Sequence, residues 1–104
     1  MGTWGFEPWQ NDSAADWADQ LFDLTRLDLH VEETLHLAIA EYADEVRAAA
    51  AVLLRLEEIW PRRARVRCLR LAISQLESAA KLPSCAPLQA SIRTEIASLE
   101  ALLR

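Results

Sequence analysis

Apolar residues recur along this chain at intervals of three and four, the spacing of one face of an α-helix, and no stretch alternates as a half-buried strand would. The first run holds Ala14, Trp17, Leu21 and Leu24, with Asp16, Asp19, Gln20 and Asp23 on the other side. Asn11, Asp12 and Ser13 stand before it, all side chains that accept hydrogen bonds from the free N–H groups of a helix start. Asp16 follows in the first turn, where a carboxylate favours the positive helix end. The pattern predicts an amphipathic helix over residues 12–27 with an acidic outer face.

From His30, a second stripe runs through Val31, Leu35, Ala38, Ile39 and Tyr42, and continues as Val46, Ala49, Ala50 and Leu53 towards Trp60. It predicts a helix over 30–59 with a break near 42–44, where Asp44 and Glu45 suit a second start. The alanines of "RAAAAVLL" let a neighbouring helix axis approach closely. Trp60-Pro61 ends this run, because proline turns the residue before it away from helical geometry and itself fits a first turn. Val66, Leu69, Ile73, Leu76 and Ala80 predict a helix over 61–81. After "KLPSCAP", with Ser84 as a cap, Leu88, Ile92, Ile96, Leu99 and Leu103 predict a last helix over 84–103. The expected fold is all-α: a single small bundle of four to five helices over residues 1–104, with residues 1–11 as an aromatic N-terminal strap.

Composition narrows this picture. At 104 residues and 52% hydrophobic, with two glycines, the chain has enough apolar material for one core without a disulfide or metal staple. Charge is unevenly spread: residues 1–60 carry thirteen Asp/Glu against three Lys/Arg, and residues 61–104 carry three against eight. With a pI near 4.9, phosphate repulsion opposes general nucleic-acid binding, so no nucleic-acid partner is expected. Residues 1–20 show no signal-peptide pattern, and no apolar run reaches the roughly 18 residues of a membrane span. Cys68 and Cys85 fit no metal or redox spacing, so a reduced cytoplasmic protein without a cofactor or membrane partner is expected.

The opening residues "GTWG", "WQND" and "AADW" resemble a bacterial family of unknown function, the one numbered 4259. Its pattern is met by Trp4, Gly5, Trp9, Asn11, Asp12, Ala14, Asp16 and Trp17 without gaps, and more weakly by "EYADEVRAAAAVLL". Trp9 stands where that family more often has Phe, and Glu7 where it has Gly. The resemblance implies a helical architecture and carries over no catalytic residue, cofactor or substrate.

Three groups of side chains are candidates for function. Trp4, Trp9 and Trp17 read best as a clamp, with Trp17 anchoring the first helix from inside, Asp12 capping it, and Asn11 or Asp16 accepting N–H groups of the turn. Their functional alternative is a stacking platform for a small ligand. Glu33 and His36 have the Glu-x-x-His spacing of metal-carboxylate bundles, but no second such pair follows, and a solvated Glu32–His36 pair is the simpler reading. Arg63, Arg67 and Arg70 share one helix face and are expected to meet an acidic surface: Asp16, Asp19 and Asp23 of the first helix, in the same chain or a second copy, or an acidic partner. No phosphate-binding glycine loop or paired nucleophile and base is present in the sequence. The expectation is a non-enzymatic protein–protein interaction module working through charged helix faces, with a protein partner or self-association. A neutralising partner of a basic protein is one form of it. The alternative is a ligand, metal or enzymatic site near the tryptophans or Glu33/His36.

Overall fold

Among the described residues, five helices follow one another: α1 (Asp12–Thr25), α2 (Leu27–Leu35), α3 (Ile39–Leu56), α4 (Arg62–Ala80) and α5 (Ala86–Leu102), with a 3-10 turn at Glu57–Ile59. The structure, a computed structural model, describes residues 8–104, and those residues contain no strand. The fold is an all-α bundle.

Its axis is α4, which packs against α2, α3 and α5. That helix buries Ala64, Cys68, Leu69, Ala72, Leu76, Ala79 and Ala80, so small residues alternate with leucines and let the neighbouring helices come close. Leu35 of α2, Val46 and Leu53 of α3, and Ile92, Ile96 and Leu99 of α5 close the core around it. Leu35, Leu53, Leu69 and Leu76 are fully buried, each contributing roughly 2 kcal/mol of apolar transfer. Ala49 and Ala50 are buried within α3, the close-approach face expected of the alanine run.

Ion pairs tie helices together over this core. Arg47 of α3 grips Glu95 of α5 with two nitrogens, the shortest contact being 2.6 Å. Arg65 of α4 holds Glu57 at 2.7 Å and also donates to the Leu102 carbonyl at 3.2 Å. Arg67 of α4 holds both carboxylate oxygens of Glu32 on α2, at 2.6 and 2.9 Å.

The expected helix over 30–59 is corrected to two helices. α2 begins at Leu27, and the chain leaves helical geometry at 36–38, with Ala38 extended at φ −64°, ψ 117°. The carbonyls at this corner are held from α4. The Gln75 side-chain amide donates to the Leu35 carbonyl at 2.7 Å and to the Leu37 carbonyl at 2.8 Å. Those carbonyls at the end of α2 would otherwise need other donors. A second departure, where the break near 42–44 was expected, falls inside α3 at Tyr42, φ −123°, ψ 28°. α1 stops at Thr25, two residues before the expected end, because Arg26 sits in the left-handed region at φ 55°, ψ 31°. Arg26 N–H closes the helix on the Phe22 carbonyl at 2.8 Å, and Thr25 Oγ1 donates to the Leu21 carbonyl and accepts the Leu27 N–H. α5 starts at Ala86, and Ser84 is not its cap: Ser84 Oγ accepts from Gln89 Nε2 at 2.6 Å.

The radius of gyration is 15.1 Å, against about 13 Å for a compact chain of this length. Accessible surface is 6865 Å², against roughly 5,900 Å² for a folded monomer of this mass. Among the described residues, α2 to α5 pack on one another, and α1 meets the bundle chiefly at the Glu57–Ile59 turn.

Candidate interaction surface

α1 is secured to the bundle through one side only. Ala18 and Phe22 are buried, and the Phe22 ring meets Trp60 edge to face with centroids 5.3 Å apart. Trp60 is 2% exposed, held where the Glu57–Ile59 turn gives way to Pro61. Its buried indole N–H makes no regular hydrogen bond among the described residues and interacts with the Cys68 thiol instead. Asn11 caps the helix by accepting the Ala14 N–H at 2.8 Å, a role the sequence had suggested for Asp12, which stands instead in the first turn.

This docking corrects the expected face of the helix. Trp17 is 57% exposed and Leu24 is 85% exposed, so Trp17 does not anchor α1 from inside. The buried side is turned by about 100° from that of Trp17, the angular step of one residue, towards Ala18 and Phe22. At that step Asp12, Asp16, Asp19 and Asp23 fall within an arc of about 60° on one flank. Trp17, Leu21 and Leu24 fall within a similar arc on the other flank. Asp16, Asp19 and Asp23 are exposed and have no ion-pair partner among the described residues.

Between α1 and the start of α4 lies an open cavity of about 440 Å³. Trp9, Phe22 and Trp60 give it aromatic lining, Asp19, Asp23 and Glu58 give it negative charge, and Arg62 and Arg63 give it positive charge. No ion pair within 4.0 Å joins these charges to one another among the described residues. Of the strap residues, Trp9 and Gln10 are half-buried, whereas Trp4 lies outside the described residues.

The arginine face is divided. Arg67 is engaged with Glu32, and Arg63 and Arg70 are exposed without an ion pair among the described residues. Among the described residues, the acidic partners of the α4 arginines are therefore on α2 and on the turn before α4, not on the acidic side of α1. The Arg67 guanidinium holds the Glu32 carboxyl below its ordinary range, and Glu32 in turn raises Arg67.

Glu33 and His36 are both exposed, and Glu32 turns to Arg67 instead of forming the expected solvated pair with His36. Among the described residues no group of three His, Cys, Asp or Glu side chains is placed to hold a metal ion. Cys68 is fully buried, and that burial pushes its thiol up, with the Glu32 charge adding to it and Trp60 opposing. Such a thiol is a poor nucleophile. Among the described residues, no helix is long and apolar enough to cross a membrane.

Sequence reasoning missed Phe22 and Trp60 as the pair that seats α1, and Glu58 and Arg62 as part of the cleft. The available signal was Phe22, four residues after Ala18, together with the tryptophan of the Trp60-Pro61 break.

The family model described as "Domain of unknown function (DUF4259)" matches residues 2–59, more than half of the chain, and the chain belongs to that family. No curated protein and no solved structure matches it. The matched segment contains the aspartates and Trp17 of α1; Arg62 and Arg63 follow it.

Proposed function

We propose that this member of the DUF4259 family is a non-enzymatic protein–protein interaction module that docks its partner on α1 and the cleft beside it. The observation that carries this reading is the pairing of an exposed apolar edge, Trp17 and Leu24, with an exposed row of carboxylates, Asp16, Asp19 and Asp23, on one helix. Tryptophan is enriched among the residues that dominate interface energy, and unpaired charge beside it favours a partner that brings cations. A soluble chain gains nothing in its own core from an 85% exposed leucine. The bacterial cytoplasm is the setting that accords with the family resemblance and the two free cysteines.

The test is capture by tagged chain from bacterial lysate at low and high salt, comparing wild type, Trp17→Ser/Leu24→Ser and Asp16→Asn/Asp19→Asn/Asp23→Asn. Binding that is specific, weakened by salt and lost in both variants supports the reading. Identical recovery by all three forms overturns it.

The cavity supports a second reading, since its volume lies in the range of small-ligand pockets. Saturable change in tryptophan fluorescence on adding a small amphipathic ligand, lost in Trp9→Ala, is the result that reading requires.

A further inference from the structure

We infer that the surface formed by α1 and the start of α4 is a two-fold interface between two copies of this chain, in which Asp19 and Asp23 of each copy meet Arg62 and Arg63 of the other. The inference rests on the docking surface proposed above and names its occupant.

A two-fold interface must be complementary to itself, because the same patch serves both sides. The cleft has that property. Asp19 and Asp23 line it from α1, Arg62 and Arg63 line it from α4, and no ion pair joins the two sets among the described residues. A uniformly basic partner would meet the arginines, and a uniformly acidic one would meet the aspartates. A second copy turned by 180° brings each sign against its opposite, and unpaired charges on one chain become four complementary groups on each side of the axis.

Charge alone is weak at an exposed surface, so the contact also needs apolar area. The cleft supplies it through Trp9, Ala15 and Ile59, whereas Trp17 and Leu24 lie on the other flank of α1.

The test is sedimentation velocity with the full chain, from micromolar to submillimolar concentration, at low and high salt. Wild type is expected to sediment as a salt-sensitive dimer. Asp19→Arg/Asp23→Arg makes all four groups cationic, Arg62→Asp/Arg63→Asp makes all four anionic, and each is expected to raise the dimer dissociation constant about 100-fold. Mixing the two variants in equal amounts restores the dimer, and so does combining all four substitutions in one chain. Unfolded variants would not recombine, so the restored dimer also controls for folding. A wild type that stays monomeric at all concentrations overturns the inference, as does a dimer that neither variant weakens. If wild type is monomeric but capture from lysate still depends on Trp17 and the aspartates, the docking surface stands and self-association alone is lost.

Discussion

Phe22 and Trp60 meet at an interplanar angle of 67° with their ring centroids 5.3 Å apart, an edge-to-face contact that seats α1 on the bundle. Both rings are 2% exposed. Phe22→Ala removes one of them from a packed site and is expected to lower stability by about 3 kcal/mol. Trp17→Ala, five residues earlier on an exposed face, should change stability by less than about 0.5 kcal/mol. Urea denaturation of both variants measures the contrast, and amide exchange across α1 should quicken in Phe22→Ala alone. Equal losses in the two variants would mean that Trp17 is a core residue after all.

Arg26 joins α1 to α2 with φ at +55°, a region that costs a side-chain-bearing residue roughly 1–2 kcal/mol. Arg26→Gly removes that cost and returns part of it through the freer unfolded chain, for a net gain of about 0.5 kcal/mol. Arg26→Val should be destabilising, since a β-branched side chain is least tolerant of that geometry. Thermal melts of the two variants should move in opposite directions.

Acid should loosen the link between α2 and α4. Arg67 lowers the Glu32 carboxyl in the folded chain from an ordinary value of 4.5, so the folded state prefers the ionised group more than the unfolded state does. The contribution of the pair is complete above the ordinary value and disappears as the pH falls through the lowered one. Glu32→Gln should therefore narrow its stability deficit relative to wild type as the pH drops below about 4.5. A deficit that does not change with pH would exclude the ion pair as its source.

The two cysteines should separate on alkylation. Cys85 is exposed at the start of α5, whereas Cys68 is fully buried with a raised thiol. Native protein treated with iodoacetamide should gain one adduct, on Cys85, and the second only in denaturant. Mass spectrometry of the intact chain and its peptides reads both. Rapid double labelling of native protein would contradict the buried position of Cys68.

α3, α4 and α5 were legible because their apolar residues recur at helical spacing and most of those residues do enter one core. Leu53, Leu69, Leu76, Ile92, Ile96 and Leu99 all stand where the periodicity puts them. α1 misled for a physical reason: it carries two apolar stripes, and the one with the larger side chains, Trp17 and Leu24, faces outward. Periodicity cannot choose between two stripes when the choice depends on a distant ring, here Trp60. Val66 misled similarly. It is 44% exposed while Cys68, two residues on, is fully buried, because the core side of α4 is richer in small residues than a hydropathy stripe suggests. The cleft was not legible, since its charges come from α1 and from α4 across a gap that only the tertiary arrangement opens.

The Gln75 amide has a consequence for the order of folding. It supplies the stop for α2 from 40 residues downstream of Leu35, so during synthesis residues 27–56 emerge before the group that ends their first helix. The corner at 36–38 has no side-chain cap of its own on α3, and its carbonyls at Leu35 and Leu37 are met from α4. The α2–α3 corner and α4 are therefore expected to form as one cooperative unit. Gln75→Leu should slow refolding as well as lower stability by about 1–3 kcal/mol, because the same two carbonyls lose their donor in the folding transition state and in the native chain. A variant that refolds at the wild-type rate and only unfolds faster would place the corner after the rate-limiting step.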